Sequence, residues 1–235
     1  MRRLAATLRL DVQLQSRNLL YHIGVGVALA VGLAARYFLD PEVIRVLLPV
    51  FFLGALLGTT YMFVAAMVLF EKGERTLDAV IVSPLPTREY ILSKVLTLTG
   101  FGLVESIIVL LLAYGFADFH VVPLLAGVLV MGALYALVGT AQVVRYDSVT
   151  EFLIPGAILA GMVLQLPFLH ALDIWPSPIW YLVPTQAPLL LMKGAFQPIA
   201  DWEWIYAVGY SFVALVAGYR RAESEFTKYI VRGGR

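Results

Sequence analysis

The chain has no cysteine, and charged residues make up only 14% of its 235 positions. Without cysteine there is no disulfide, no thiol nucleophile and no cysteine-ligated metal. Soluble domains carry about 25% charged residues, so this chain lacks the polar surface to coat itself in water. It also lacks a net charge of consequence (+1) and any long basic run, which argues against nucleic acid as a partner. There is no glycine-rich loop ending in GK[ST], hence no ATP site of its own, and no GxSxG elbow or HExxH helix. The three histidines, His22, His120 and His170, lie on separate segments and read as structural or interfacial residues rather than a shared metal or catalytic site. Only Glu105 lies deep within an apolar run, so a protease using paired intramembrane aspartates is excluded.

What is abundant is apolar sequence: 60% hydrophobic residues and a mean hydropathy of +0.84. The chain reads as an all-α, polytopic membrane protein forming one transmembrane domain over residues 1–235, without internal repeats or low-complexity tracts. Six spans are expected at about 19–39, 47–70, 95–116, 122–144, 152–171 and 204–219. The first matches the ~20 residues needed to cross a bilayer and exceeds the ~7–15 residues of a signal h-region, so it should stay as a helix. It carries Gly24, Ala28 and Gly32 at four-residue steps, a spacing that admits a neighbouring helix closely. Gly54 and Gly58 of the second span form a GxxxG pair, either a helix contact or a chance occurrence.

Residues 1–18 contain Arg2, Arg3, Arg9 and Arg17. Their apolar positions fit both a strand and a helix, but a lone strand against lipid would leave backbone groups unpaired at several kcal/mol each, so an interfacial helix is expected. Residues 173–202 are broken by five prolines, and all four tryptophans sit in or beside them. Tryptophan concentrates at membrane interfaces, so short helices lying in the outer face or dipping into it are expected. Lysine and arginine are concentrated at the termini, in 71–94 and at Arg145, with only Arg36, Arg45 and Lys193 opposite. That asymmetry puts both termini and 71–94 in the cytoplasm of a multi-pass protein of the cell membrane.

The polar island 71–94 holds eight charged residues. Leu77, Val80 and Ile81 fall at i, i+3, i+4, one apolar stripe on a short helix. Pro84 and Pro86 end that helix, and Thr87 is placed to cap the next, with Glu89 in its first turn. The sequence Glu71-Lys72, then Thr76-Leu77-Asp78, then Ser83-Pro84-Leu85, then Lys94 resembles the first cytoplasmic loop of permease subunits of type-2 ABC exporters. Arg75 stands where that family usually has glycine. The segment 173–202 is similar to the external re-entrant segment of the same family.

The resemblance implies that the short helix is a coupling helix seated in a separate ATPase subunit, with Glu71, Glu74, Arg75, Thr76, Leu77, Asp78, Val80, Ile81, Ser83 and Pro84 as contacts. It implies that a second permease, identical or not, pairs with this one. No cofactor is expected on this chain, with ATP and magnesium on the partner ATPase, and no enzyme activity of its own. The substrate would be an amphiphilic or apolar drug or lipid, and compact size without a large external domain looks most like drug-export permeases, including the fluoroquinolone group. Substrate-path candidates are Thr59, Thr60, Tyr61, Glu105 and Gln165. Each also reads as structural: Thr hydroxyls can satisfy span carbonyls, Gln165 can bond between helices, and Glu105 can be a protonated acid held by a neighbour. Two other functions fit: an assembly factor without transport, and a proton-coupled carrier using Glu105.

Overall fold

The computed structural model describes residues 2–77, 85–116 and 118–233, and these are helical or irregular, with no strand. The arginine-bearing start is a helix, α1 (Arg2–Arg17), as the cost of an unpaired strand requires. Leu19 then adopts a left-handed φ of 60°, which turns the chain sharply into α2 (Leu20–Phe38).

The next helix, α3 (Pro41–Gly73), runs for 33 residues, about 50 Å at 1.5 Å per residue, and exceeds the expected 47–70 at both ends. Pro41 sits at its first position, where the missing N–H costs nothing and φ is already helical. Glu42 and Arg45 therefore lie within the helix rather than ahead of it. Its middle, Leu57–Met62, is π-helical. Helix α4 (Thr87–Ala113) begins eight residues before the expected 95, for the same reason. Pro86 occupies its cap position, so Thr87 is the first helical residue rather than the cap, while Glu89 lies in the first turn as expected.

Two more helices complete the apolar set: α5 (Val121–Val143) and α6 (Val149–Ala171). Ser148 caps α6 by accepting from Glu151 N, and α6 loosens into a π turn at Ala160–Leu164 after Pro155. Helices α2 to α6 are each long and apolar enough to cross a membrane. The segment expected as a sixth span is α8 (Asp201–Phe226), which starts earlier and ends later than 204–219. It is less apolar than the other five, yet Ile205, Val208, Phe212 and Val213 are exposed along it, an outward face suited to lipid.

Small residues bring the helices together where their spacing suggested. Gly24, Ala28, Gly32 and Ala35 are buried on α2, and a Cβ on Gly32 would stand 2.8 Å from Leu112 Cβ of α4. A short buried helix, α7 (Gln186–Phe196), packs against α5 so closely that a Cβ on Gly127 would meet Met192 Cγ at 2.5 Å and Pro188 O at 2.9 Å. Arg45 Nε donates to Phe196 O at 2.6 Å, placing a cation on the negative end of α7. The tryptophans lie at this aromatic end, where Trp180 Nε1 donates to Trp175 O. The opposite end carries α1, the root of the polar island and the last turns of α8.

Candidate functional site

At the charged end, Lys94 lies about two turns inside α4 with only 1% of its side chain exposed. Such burial requires partners, and it has two: Asp11 Oδ1 of α1 at 2.9 Å and Glu71 Oε1 of α3 at 2.6 Å. Ser93 Oγ donates to the other oxygen of Asp11, and Tyr90 OH donates to the other oxygen of Glu71. Gln15, one turn beyond Asp11, donates to Thr97 Oγ1 at 2.9 Å and accepts from Tyr21 OH at 2.6 Å. Three helices are thus held by one lysine with all four carboxylate oxygens bonded. Its neighbour in sequence acts elsewhere. Lys72 Nζ donates to Val144 O at 2.8 Å and Tyr146 O at 2.6 Å, capping the carbonyls that α5 leaves free at its C-terminus. The Glu71-Lys72 pair therefore divides, with one charge tying α3 to α4 and α1, and the other tying it to α5. Arg145 with Glu225, at 2.6 Å, and Arg88 with Glu223, at 2.9 Å, fasten α8 to the same end.

From this lock the island emerges. Glu74, Arg75 and Thr76 are exposed, whereas Leu77 is 2% exposed and packs within this chain. Glu71 sends its carboxylate inward to Lys94, away from the exposed three. Asp78, Val80, Ile81, Ser83 and Pro84 lie outside the described residues. Arg75 has φ 56°, the left-handed conformation that glycine adopts without strain, so the glycine usual in the resembling family has a physical reason and this chain meets it with an arginine.

In the apolar layer the five path candidates separate. Thr59 and Glu105 line one cavity of about 280 Å³ between α2, α3 and α4. Thr60, fully buried, donates to Leu56 O. Tyr61, also fully buried, donates its one hydroxyl proton between Gln142 Oε1 of α5 and Gly156 O of α6, the latter at 3.2 Å. Thr59 donates to Ala55 O at 3.2 Å, so both threonines of the π-helical stretch satisfy carbonyls of the α-helical turn before it. π turns inside α-helices occur often at functional sites. Gln165 Nε2 packs against Gly54, 3.3 Å from where a Cβ would stand, and Gln165 is not part of the cavity wall. Gly54 thus makes a contact, while Gly58 opens on empty space. Glu105 is 3% exposed, has no ion-pair partner among the described residues, and meets the Thr59 hydroxyl on the same cavity wall.

Residues absent from the sequence reading are Asp11 and Gln15, the buried pair of α1. Their i, i+4 spacing placed them on one face, and Asp11 is the lone acid in an arginine-rich helix. That combination was the available signal. Gln142, which also donates to Pro155 O at 3.0 Å and so bridges α5 and α6, carried none.

A bundle of apolar helices long enough to cross a bilayer, with polar groups inside it and a charged lock at one end, defines a multi-pass membrane protein. The profile of the Fluoroquinolones export permease protein family matches residues 2–233. The chain is 33% identical over 234 residues, 99% of its length and 98% of theirs, to fluoroquinolones export permease proteins of two Mycobacterium tuberculosis strains, CDC 1551 / Oshkosh and ATCC 25618 / H37Rv. The chain belongs to this family of export permeases. No solved structure matches it.

Proposed function

We propose that this permease is the transmembrane subunit of an ATP-driven exporter of the ABC type. ATP and magnesium bind a separate ATPase chain, which docks on the polar island. A second permease, identical or different, completes the path. The substrate is an amphiphilic or apolar drug or lipid, and the names of the relatives make fluoroquinolones the first to try. The observation that carries the reading is the lock beneath the island. Exposed Glu74, Arg75 and Thr76 sit directly on a segment fixed to α1, α4 and α5 by Lys94 and Lys72. A push there is transmitted into the bundle rather than absorbed by a loose loop. The lysine and arginine asymmetry supports a cytoplasmic position for this end and for both termini.

The test is co-purification of the tagged chain with phosphate-loop ATPases expressed beside it. Glu74→Lys with Arg75→Glu reverses two exposed charges and leaves the buried lock intact. The native chain should retain an ATPase, and the double variant should lose most of it. A native chain that retains none removes the support for ATP coupling. A second reading, a proton-coupled carrier, is favoured by the buried Glu105 carboxylate, which has no cation beside it among the described residues. It requires gradient-driven transport that Glu105→Gln abolishes and that needs no ATPase.

A further inference from the structure

The cavity between α2, α3 and α4 is apolar except at two points. Ile23, Val27 and Phe51 are among its walls, and Thr59 and Glu105 supply its polar groups. Ile23 is 54% exposed and Val27 52%, so the mouth opens on the outside of the bundle along the apolar helix α2. The carboxylate rests on the backbone of Gly24, where an added Cβ would come within 1.9 Å of Glu105 Oε1. The absence of a side chain there leaves room for the acid to face the cavity.

An ionised carboxylate inside a membrane is costly unless it is paired. Asp11, the other fully buried acid among the described residues, has its cation 2.9 Å away in Lys94. Glu105 has no cation among the described residues, and the Thr59 hydroxyl is the side chain that interacts with its carboxylate. The partner an ionised Glu105 requires is a positive charge from outside the chain, since none of the described residues supplies one. A hard metal ion is a poor fit, since calcium takes 6–8 oxygen ligands and the cavity presents one carboxylate and one hydroxyl. A protonated amine needs only one to three acceptors, which these two groups provide. The volume, about 280 Å³, lies at the lower edge of the roughly 300–1,000 Å³ of small-molecule sites. It accommodates an amine with the apolar ring or arm that bears it.

We infer that this cavity binds a monocationic amphiphile, its ammonium group paired with Glu105 and its apolar part against α2 and α3, entering sideways from the bilayer. The inference rests on the export reading for the word substrate, and on that reading it names the substrate class. The site itself needs no ATPase, which allows separate tests.

The experiment uses the full chain in phosphatidylcholine nanodiscs without ATPase. Two fluorescent probes are titrated against empty discs: dansylcadaverine, which carries a primary ammonium, and its neutral N-acetyl derivative. The native chain should bind the amine roughly tenfold or more tighter than the acetamide. Glu105→Gln should weaken amine binding by about the same factor and leave the acetamide within about twofold. Gly58→Leu places its side chain in the open space of the cavity and should weaken both probes roughly tenfold with Glu105 untouched. Should Glu105→Gln yield no folded protein, Gly58→Leu decides alone. Equal binding of the two probes by the native chain, undiminished amine binding by Glu105→Gln, or undiminished binding by Gly58→Leu each overturns the site. Charge-selective binding without ATP-driven export refutes the export reading and leaves the site standing, and the reverse outcome refutes the site alone.

Discussion

Replacing Lys94 with methionine keeps a straight side chain in place and removes the ammonium from between Asp11 and Glu71. Two inward-facing carboxylates then share one site with only Ser93 and Tyr90 as donors. Breaking a buried ion pair by removing one partner costs about 3–5 kcal/mol, because the remaining charge is left uncompensated. For a chain of this length each kcal/mol shifts Tm by about 2–4 °C, so Lys94→Met should lower the midpoint by about 6–20 °C. Asp11→Asn is milder. It removes one of the two negative charges, leaves Lys94 paired with Glu71 and keeps an oxygen for Ser93. The double variant Lys94→Met, Asp11→Asn should melt above Lys94→Met alone, since one buried carboxylate fewer is stranded. The absence of cysteine makes the assay clean. Ser211 is buried and its hydroxyl has no partner, so Ser211→Cys supplies a single thiol that reacts with a dye only on unfolding. A Lys94→Met midpoint within about 2 °C of the parent, less than one kcal/mol on that scale, would refute the claim that this lysine locks the charged end. So would an Asp11→Asn variant less stable than Lys94→Met.

Two further substitutions test the close geometry. Arg75→Gly relieves a left-handed backbone that costs an ordinary residue about 1–2 kcal/mol, so it should raise Tm slightly, whereas Arg75→Val should lower it; both are read in the same melting assay. Gly24→Ala drives a methyl into Glu105 and Phe101 Cζ, 2.6 Å away, and should cost about 1–3 kcal/mol by overpacking. Gly26→Ala, two residues on with nothing within 4 Å, should be neutral or stabilise by up to about 1 kcal/mol through helix propensity.

The five apolar helices and the small-residue seam of α2 were legible because burial in lipid imposes long unbroken runs and a fixed helical spacing. Helix ends were not. Polarity rises where lipid stops, but α3, α4 and α8 continue into water, and only Pro41 and Pro86 mark true starts. Of the site, the motif residues Glu71 and Lys94 stood out individually, yet their pairing across 23 positions, and the share taken by Asp11, is tertiary. Nothing local to either residue announces it. Leu77 shows the same limit from the other side. An apolar stripe identifies a buried face, but not whether this chain or another buries it, and here this chain does. Thr59, Thr60 and Tyr61 are consecutive in sequence and sit in a π-helical stretch, where one residue faces the cavity and the next two face inward. Arg75 stands where the resembling family usually has glycine, and its φ of 56° is the conformation glycine adopts without strain; nothing in the sequence shows that backbone directly.

The measurement that bears most directly on the account is transport by proteoliposomes containing the permease, its co-purifying ATPase and, where one is required, a second permease. Accumulation of a fluoroquinolone is followed with and without ATP and magnesium. The account predicts accumulation that requires both the ATPase and hydrolysable ATP, that persists without a proton gradient, and that falls when Glu74 and Arg75 are charge-reversed. Accumulation driven by a proton gradient alone, in the absence of nucleotide, would contradict it.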